Sequence, residues 1–279
     1  KIHKYKGEIY AGVDNEIWKF SDSNKWKNIT PKINLKSNIS AMTSHKGKLY
    51  IGLNNMPYLI HFDGKKWNKE TLKLDLRTIL GIYSLHSHTD GNLYAGTVMK
   101  VGFSALVLKK EKNKWKVIGG PNIKDSWINT GFIAALSFTS YKDNLIVTFN
   151  RRPMAGGLFS SIWAFNGDNW KPVGASKAPS TWEYLENFNA SIVFNNKLLV
   201  SGGGKPAGLA SLWEYNIDKW EIVAGFGVSG SWGRAGTTLS DGESISEHVY
   251  NMVKFENKLY LGFGDGKKMS QIWRYTANR

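Results

Sequence analysis

The chain has 279 residues and no cysteine, with 37 Lys or Arg against 22 Asp or Glu, a formal net charge of +15. The missing cysteine excludes a disulfide framework and zinc–thiolate sites, and no run of 18 apolar residues offers a membrane-spanning helix. The charge is mostly lysine, since Arg stands only at positions 77, 151, 152, 234, 274 and 279; it reads as a solvated surface, and it also suits an anionic partner such as an acidic glycan, a cell-wall polymer, a membrane surface or nucleic acid.

In chain order one pattern recurs six times. Ile9-Tyr-Ala-Gly12 leads to Ile17-Trp-Lys-Phe20 and Trp26; Leu49-Tyr-Ile-Gly52 to Leu59-Ile-His-Phe62 and Trp67; Leu93-Tyr-Ala-Gly96 to Ala105-Leu-Val-Leu108 and Trp115. Leu145-Ile-Val-Thr148 leads to Ile162-Trp-Ala-Phe165 and Trp170; Leu198-Leu-Val-Ser201 to Leu212-Trp-Glu-Tyr215 and Trp220; Leu259-Tyr-Leu-Gly262 to Ile272-Trp-Arg-Tyr275. The starts are 40, 44, 52, 53 and 61 residues apart. Alternating apolar segments rich in Tyr, Trp, Ile and Val at such a period predict the four-stranded antiparallel blades of an all-β propeller. Six repeats are expected in one domain over 1–279, as units 1–30, 31–71, 72–119, 120–174, 175–224 and 225–279.

Within a unit, strand A ends at a turn that tolerates positive φ: Lys46-Gly47, Asp143-Asn144 or Asn195-Asn196. Strand B is the Leu-Tyr run. Strand C carries Ile-Trp, Asp63-Gly64 or Asn166-Gly167 turns it into strand D, and strand D holds the last Trp. The equivalent Trp of the sixth unit would be position 280, so that blade lacks its strand D. Trp18, Trp26, Trp67, Trp115, Trp163, Trp170, Trp213, Trp220 and Trp273 are expected to pack blade on blade. The chain begins at Lys rather than Met, which reads as removal of a leader or of the rest of a larger protein.

These motifs resemble the Kelch-like and sialidase-like β-propeller repeats of bacterial secreted and surface proteins, in which a Lys-Leu-Tyr-x-Gly strand precedes an Ile-Trp-x-Tyr-x-Gly-x-x-Trp hairpin. The resemblance covers the whole chain and implies the fold and a secreted or cell-surface location. Asp63-Gly-Lys-Lys-Trp67 looks like half of the sialidase Asp-box, without its leading Ser.

The third unit holds His86, His88 and Asp90. His-x-His on a strand puts both rings on one face, as a metal pair requires, but no third ligand follows, and polar surface is the favoured reading. The last three units are longer, in two places. The B–C connections hold Arg151, Arg152, Gly203, Lys205, Asp265 and Lys267; the D–A connections hold Trp127, Trp182, Trp232 and Arg234. In a propeller both connections emerge on one face, so these residues should share a rim. Gly admits a ligand to the backbone, Trp offers a flat face, and Arg or Lys neutralises an anion. An alternative is that the three Trp tuck into the blade tops. Gly202-Gly-Gly-Lys205 is not a P-loop, because Pro206 stands where Ser or Thr is needed.

The leading expectation is a non-catalytic binding propeller, lectin-like or a protein-interaction module, with a glycan or protein ligand on that rim and no cofactor or metal. The alternative is a glycoside hydrolase or lyase, sialidase-like, using two of Asp125, Glu183, Glu186, Asp241, Glu243, Glu247 and Asp265, with Arg151, Arg152, Arg234 and Tyr250 as further candidates. Nucleic-acid binding through the lysine surface is a weaker reading, one that predicts steep salt dependence.

Overall fold

The computed structural model describes residues 1–20, 24–33, 35–74, 78–100, 102–127, 131–151, 162–173, 185–204, 210–216, 218–225, 228–229, 231, 248–264 and 271–275. Among them the regular structure is strands alone, in an all-β, propeller-like arrangement. The chain divides into two compact units, Lys1–Ala135 and Leu136–Arg279. No helix among the described residues is long and apolar enough to cross a membrane.

The first unit is built from antiparallel meanders. β1 (Ile2–Tyr5), β2 (Glu8–Val13), β3 (Glu16–Phe20) and β4 (Trp26–Asn28) form the first. β5 (Ile39–His45), β6 (Lys48–Leu53), β7 (Tyr58–Phe62) and β8 (Trp67–Thr71) form the second. β9 (Ile79–Ser87), β10 (Leu93–Met99), β11 (Val107–Glu111) and β12 (Lys114–Gly119) form the third. In the second unit β13 (Phe132–Tyr141), most of which belongs to it, leads β14 (Asn144–Arg151), β15 (Ile162–Phe165) and β16 (Trp170–Pro172). Next come β17 (Leu185–Phe194), β18 (Lys197–Gly204), β19 (Ser211–Asn216) and β20 (Lys219–Ala224). The last meander has three described strands, β21 (His248–Phe255), β22 (Lys258–Gly264) and β23 (Gln271–Tyr275). Single bridges, Val98↔Ala134 and Asn150↔Asn187, join neighbouring meanders, so the described strands sort into four sheets rather than six separate ones.

Two expected boundaries move. The third strand C begins at Val107 rather than Ala105, because the Thr97 hydroxyl takes the Leu106 N–H at 2.9 Å and Ala105 N–H donates to Phe132 O. The turn after β13 falls on Lys142 and Asp143, both at positive φ, one residue earlier than read from the sequence.

Meanders are held to their successors by a repeated contact. On strand C, the residue paired with the Gly, Thr or Ser of strand B packs with strand B of the next meander. Ile17 clusters with Leu49, Ile51 and Leu53; Leu59 with Leu93 and Ala95. Ile162 clusters with Leu198 and Val200; Leu212 with Leu259, Leu261 and Phe263. The strand-B glycine is the reason the approach can be so close: a Cβ on Gly12 would stand 2.6 Å from Ile39 Cγ2, and one on Gly52 2.9 Å from Ile82 Cγ2. Hydroxyls add ties at the same steps, with Ser40 O–H donating to Ile82 O and Ser201 O–H to Val249 O at 3.0 Å.

Trp115, Trp170, Trp213 and Trp220 are buried as expected. Trp26 and Trp273 are not: they are 45% and 37% exposed. Both lie on the first and last meanders.

Candidate functional site

Two polar clusters stand out among the described residues, both in the first unit. One is centred on Glu70 of β8. Lys110 Nζ of β11 lies 2.7 Å from both carboxylate oxygens, and the Trp115 indole N–H donates to Oε1 at 2.7 Å. Lys110 also donates to Tyr50 Oη at 3.1 Å, and its ammonium lies 4.9 Å from the Tyr50 ring centroid. His61 Nδ1 sits 3.5 Å from Glu70 Oε2. Burial, then the charge of Lys48, lowers the His61 pKa, so the ring is neutral near pH 7 and the Glu70 charge is matched by Lys110. The carboxylate is saturated by a cation and an indole, which makes the cluster a tie between the second and third meanders rather than a reactive group.

The other cluster contains the His-x-His pair. His86 and His88 have ring centroids 6.2 Å apart, and His88 meets Tyr94 edge-on at 5.7 Å. Burial pushes the Asp90 carboxyl up, but donation from Tyr94 O–H at 2.6 Å and from Asn92 more than offsets it, and the pKa lies below the usual range. Burial, and then Asp90, pushes the Tyr94 hydroxyl up. Burial and His88 bring His86 down to about 4, so it is neutral at physiological pH. No group of three metal-ligating side chains occurs among the described residues. Asp90 is taken up by Tyr94 and Asn92.

The expected rim is only partly described. Trp127 is 1% exposed; its indole N–H donates to Ala105 O at 3.0 Å and its ring lies 6.3 Å from that of Phe132. Its flat face is closed to solvent, so it packs rather than presents a surface for stacking. The loop before it is locked by Ser126, which accepts from Gly120 N–H at 3.0 Å and donates to Gly120 O at 2.6 Å. Ser231 repeats this lock on Gly225, at 2.8 Å in each direction. That recurrence is visible in the sequence as a Gly six residues before a Ser-Trp pair. Asp125 is on the surface beside Lys124, 3.9 Å away.

Gly203 is buried in β18, where it pairs with Asn187, and Arg151 closes β14. Arg152, Trp182, Lys205, Trp232, Arg234, Asp265 and Lys267 lie outside the described residues, as do Glu183, Asp241, Glu243 and Glu247. Glu186 lies in β17 and Tyr250 in β21, where Tyr250 is exposed. The register does fix where these loops leave the sheets. Leu185 at the start of β17 pairs with Gly204 at the end of β18, and His248 at the start of β21 pairs with Gly264 at the end of β22. Within each of these two meanders, the connection entering strand A and the connection leaving strand B therefore join the same end of the sheet.

No protein-family model matches the chain, and no curated protein matches it significantly. Solved structures do. The extracellular domain of a hybrid two-component system from B. thetaiotaomicron superposes with a TM-score of 0.62 at 14% identity over 99% of this chain and 32% of its own. A virginiamycin B lyase from Staphylococcus aureus, solved with quinupristin, gives 0.63 at 10% identity over 94% of this chain and 76% of its own. Acylaminoacyl peptidase from Pyrococcus horikoshii gives 0.55 at 9% identity, over 99% and 43%. The chain spans about a third of the length of the first of these structures. At such identities the likeness shows the fold, and it agrees with the propeller-like arrangement of the meanders.

Proposed function

We propose that the chain is a secreted or cell-surface binding propeller of six Kelch-like or sialidase-like blades. It holds an anionic glycan or protein ligand on the loops at one end of the second unit's sheets. The observation that carries this reading is the register of β17–β18 and β21–β22. In each pair, a basic, Gly-rich B–C connection and a D–A connection meet at one sheet end. By sequence, the connections that join that end carry Lys205 and Trp182 in one meander, and Lys267, Asp265, Trp232 and Arg234 in the next. Long loops on a rigid sheet are where recognition residues concentrate, and the net charge of +15 favours an anion. Trp127, being enclosed, is left out of this site; Arg151 and Arg152 stay in it at the end of β14.

The named neighbours include an extracellular domain and enzymes. The same loops of this chain carry Glu183, Asp241, Glu243, Glu247 and Asp265, so turnover is the competing outcome. The test is binding to a broad glycan array at two salt concentrations, by the chain and by Arg152→Ala, Trp182→Ala and Lys205→Ala variants. Saturable binding that survives moderate salt and falls at least tenfold in the variants supports the reading. Binding that vanishes with salt and ignores all three substitutions overturns it. Glycan cleavage that is lost in Glu247→Gln or Asp265→Asn would assign the hydrolase or lyase instead.

A further inference from the structure

The hairpin turns of the second and third meanders carry an unusual charge. In each meander the A–B and C–D turns leave one end of the sheet, and the B–C and D–A connections leave the other. Between the paired strands, and including the first residue of the strand that follows, these four turns hold Lys46, Lys48, Lys65, Lys66, Lys112 and Lys114 against two carboxylates, Asp63 and Asp90. The four equivalent turns of the fourth and fifth meanders are balanced, with Lys142, Lys197 and Lys219 against Asp143, Asp168 and Asp218. There Lys197 and Lys219 are also paired, with Glu214 and Glu221. None of the six lysines of the second and third meanders makes an ion pair among the described residues, and all but Lys48 are exposed.

Turn chemistry does not account for these lysines. Lys46 and Lys112 stand at φ 45° and 54°, in the left-handed region where Asn, Asp or Gly costs less. The fourth and fifth meanders fill such corners with Asp143, Asn195, Asn196 and Asp218, Lys142 apart. The two carboxylates serve the turns themselves. Asp63 accepts the Lys65 and Lys66 N–H groups at 2.8 and 2.9 Å, and Asp90 accepts from Tyr94 and Asn92. The turns of the two meanders lie side by side: His45 Nδ1 is 2.9 Å from Ser87 Oγ, and Lys110 donates to Tyr50 Oη. From the first meander, Lys6 donates to Asp63 O at 3.1 Å and adds its charge to the same end.

Lysine is a point charge on a flexible stem, without the two-pronged fit of arginine, and no Arg stands in these turns. No exposed large apolar or aromatic side chain stands in them either, so nothing there offers a stacking platform for bases. Neighbouring hairpin tips that present charge alone are met together by an extended array of anions. We infer that the turn end of the second and third meanders is a docking surface for a membrane rich in anionic phospholipid. Each basic residue held near such a surface strengthens binding about fivefold. The contact is electrostatic and independent of any ligand on the B–C and D–A connections.

The test is cosedimentation of the 279-residue chain with vesicles of phosphatidylcholine alone and of phosphatidylcholine mixed with phosphatidylglycerol. The variants are Lys65→Gln with Lys66→Gln, and Lys112→Asn with Lys114→Gln. The control, Lys32→Gln with Lys36→Gln, removes the same charge from exposed positions of the connection entering β5, at the other end of the sheet. Far-UV circular dichroism checks that each variant is folded. The expected result is binding to the mixed vesicles alone, weakened by salt, lost about tenfold or more in each turn variant and changed within about twofold in the control, whose charges lie beyond the screening length. A chain that ignores the mixed vesicles overturns the inference. An equal loss in the control overturns it too, because net charge alone would then be acting. Binding to soluble polyphosphate or DNA that is lost in the turn variants, with the vesicles ignored, would assign the surface to a soluble polyanion instead.

Discussion

The second and last meanders carry Tyr, Gly and a branched aliphatic residue at the same register positions, yet their burial differs. In β5–β8, Tyr50 and Leu59 are buried and Gly52 touches Ile82. In β21–β23, Tyr260 is half-buried, Ile272 is exposed and Gly262 is clear of any neighbouring meander. The side chains do not differ in kind; the burial of the face they share does. In a stacked-repeat protein, burial belongs to the interface between units, and each unit's stability rests on its neighbours.

The largest separation between the two meanders is expected from truncating the equivalent residue. Leu59→Ala removes a fully enclosed side chain and should cost about 2–5 kcal/mol in urea denaturation. Ile272→Ala, at a position 79% exposed, should stay within about 0.5 kcal/mol. Equal losses would erase the distinction.

Acid should come next, and it acts on the first unit. Burial lowers the pKa of His3, His45 and His61, and brings His86, which faces His88 and Asp90, to about 4. Between pH 6.5 and 4 the unfolded chain binds protons that the folded chain refuses, so stability is complete above 6.5 and falls as pH drops through that window. The His86 share is about 3 kcal/mol. Melting temperature against pH should show this slope, and His86→Gln should flatten it; an unchanged slope would place the titration elsewhere.

Glycine substitution compares the two meanders from the backbone side. Gly52→Ala drives a methyl onto Ile82 and Ala41 and should destabilise by about 1–3 kcal/mol. Gly262→Ala meets nothing closer than 3.9 Å and should be close to neutral. The smallest effect is expected at the Glu70 tie. Glu70→Gln keeps the shape but removes the charge that Lys110 faces, which should cost about 1–2 kcal/mol by thermal melt, whereas the exposed Lys219–Glu221 pair should register little when Glu221 is changed to Gln.

The repeated Leu-Tyr-x-Gly and Ile-Trp motifs gave away where strands B and C lie, because alternation and turn chemistry act over a few residues. Burial was less legible. Trp26 and Trp273 carry the same signal as Trp213, yet they are 45% and 37% exposed where Trp213 is buried. The Glu70 tie was invisible because Tyr50, His61, Glu70, Lys110 and Trp115 are drawn from five strands and come together only through pairing. Trp127 was legible as either a rim residue or a packing one; the Gly120–Ser126 lock that goes with its enclosure was in the sequence, in a spacing that recurs at Gly225–Ser231. The loop residues proposed to bind ligand were found by composition alone, and most of them lie outside the described residues.

The most direct test of the contrast is amide hydrogen exchange, followed peptide by peptide. The account predicts that β6 and β7 exchange slowly and that β22 and β23 exchange faster. Slow exchange of β22 and β23 would mean the last meander is as well sealed as the second, and would contradict the account.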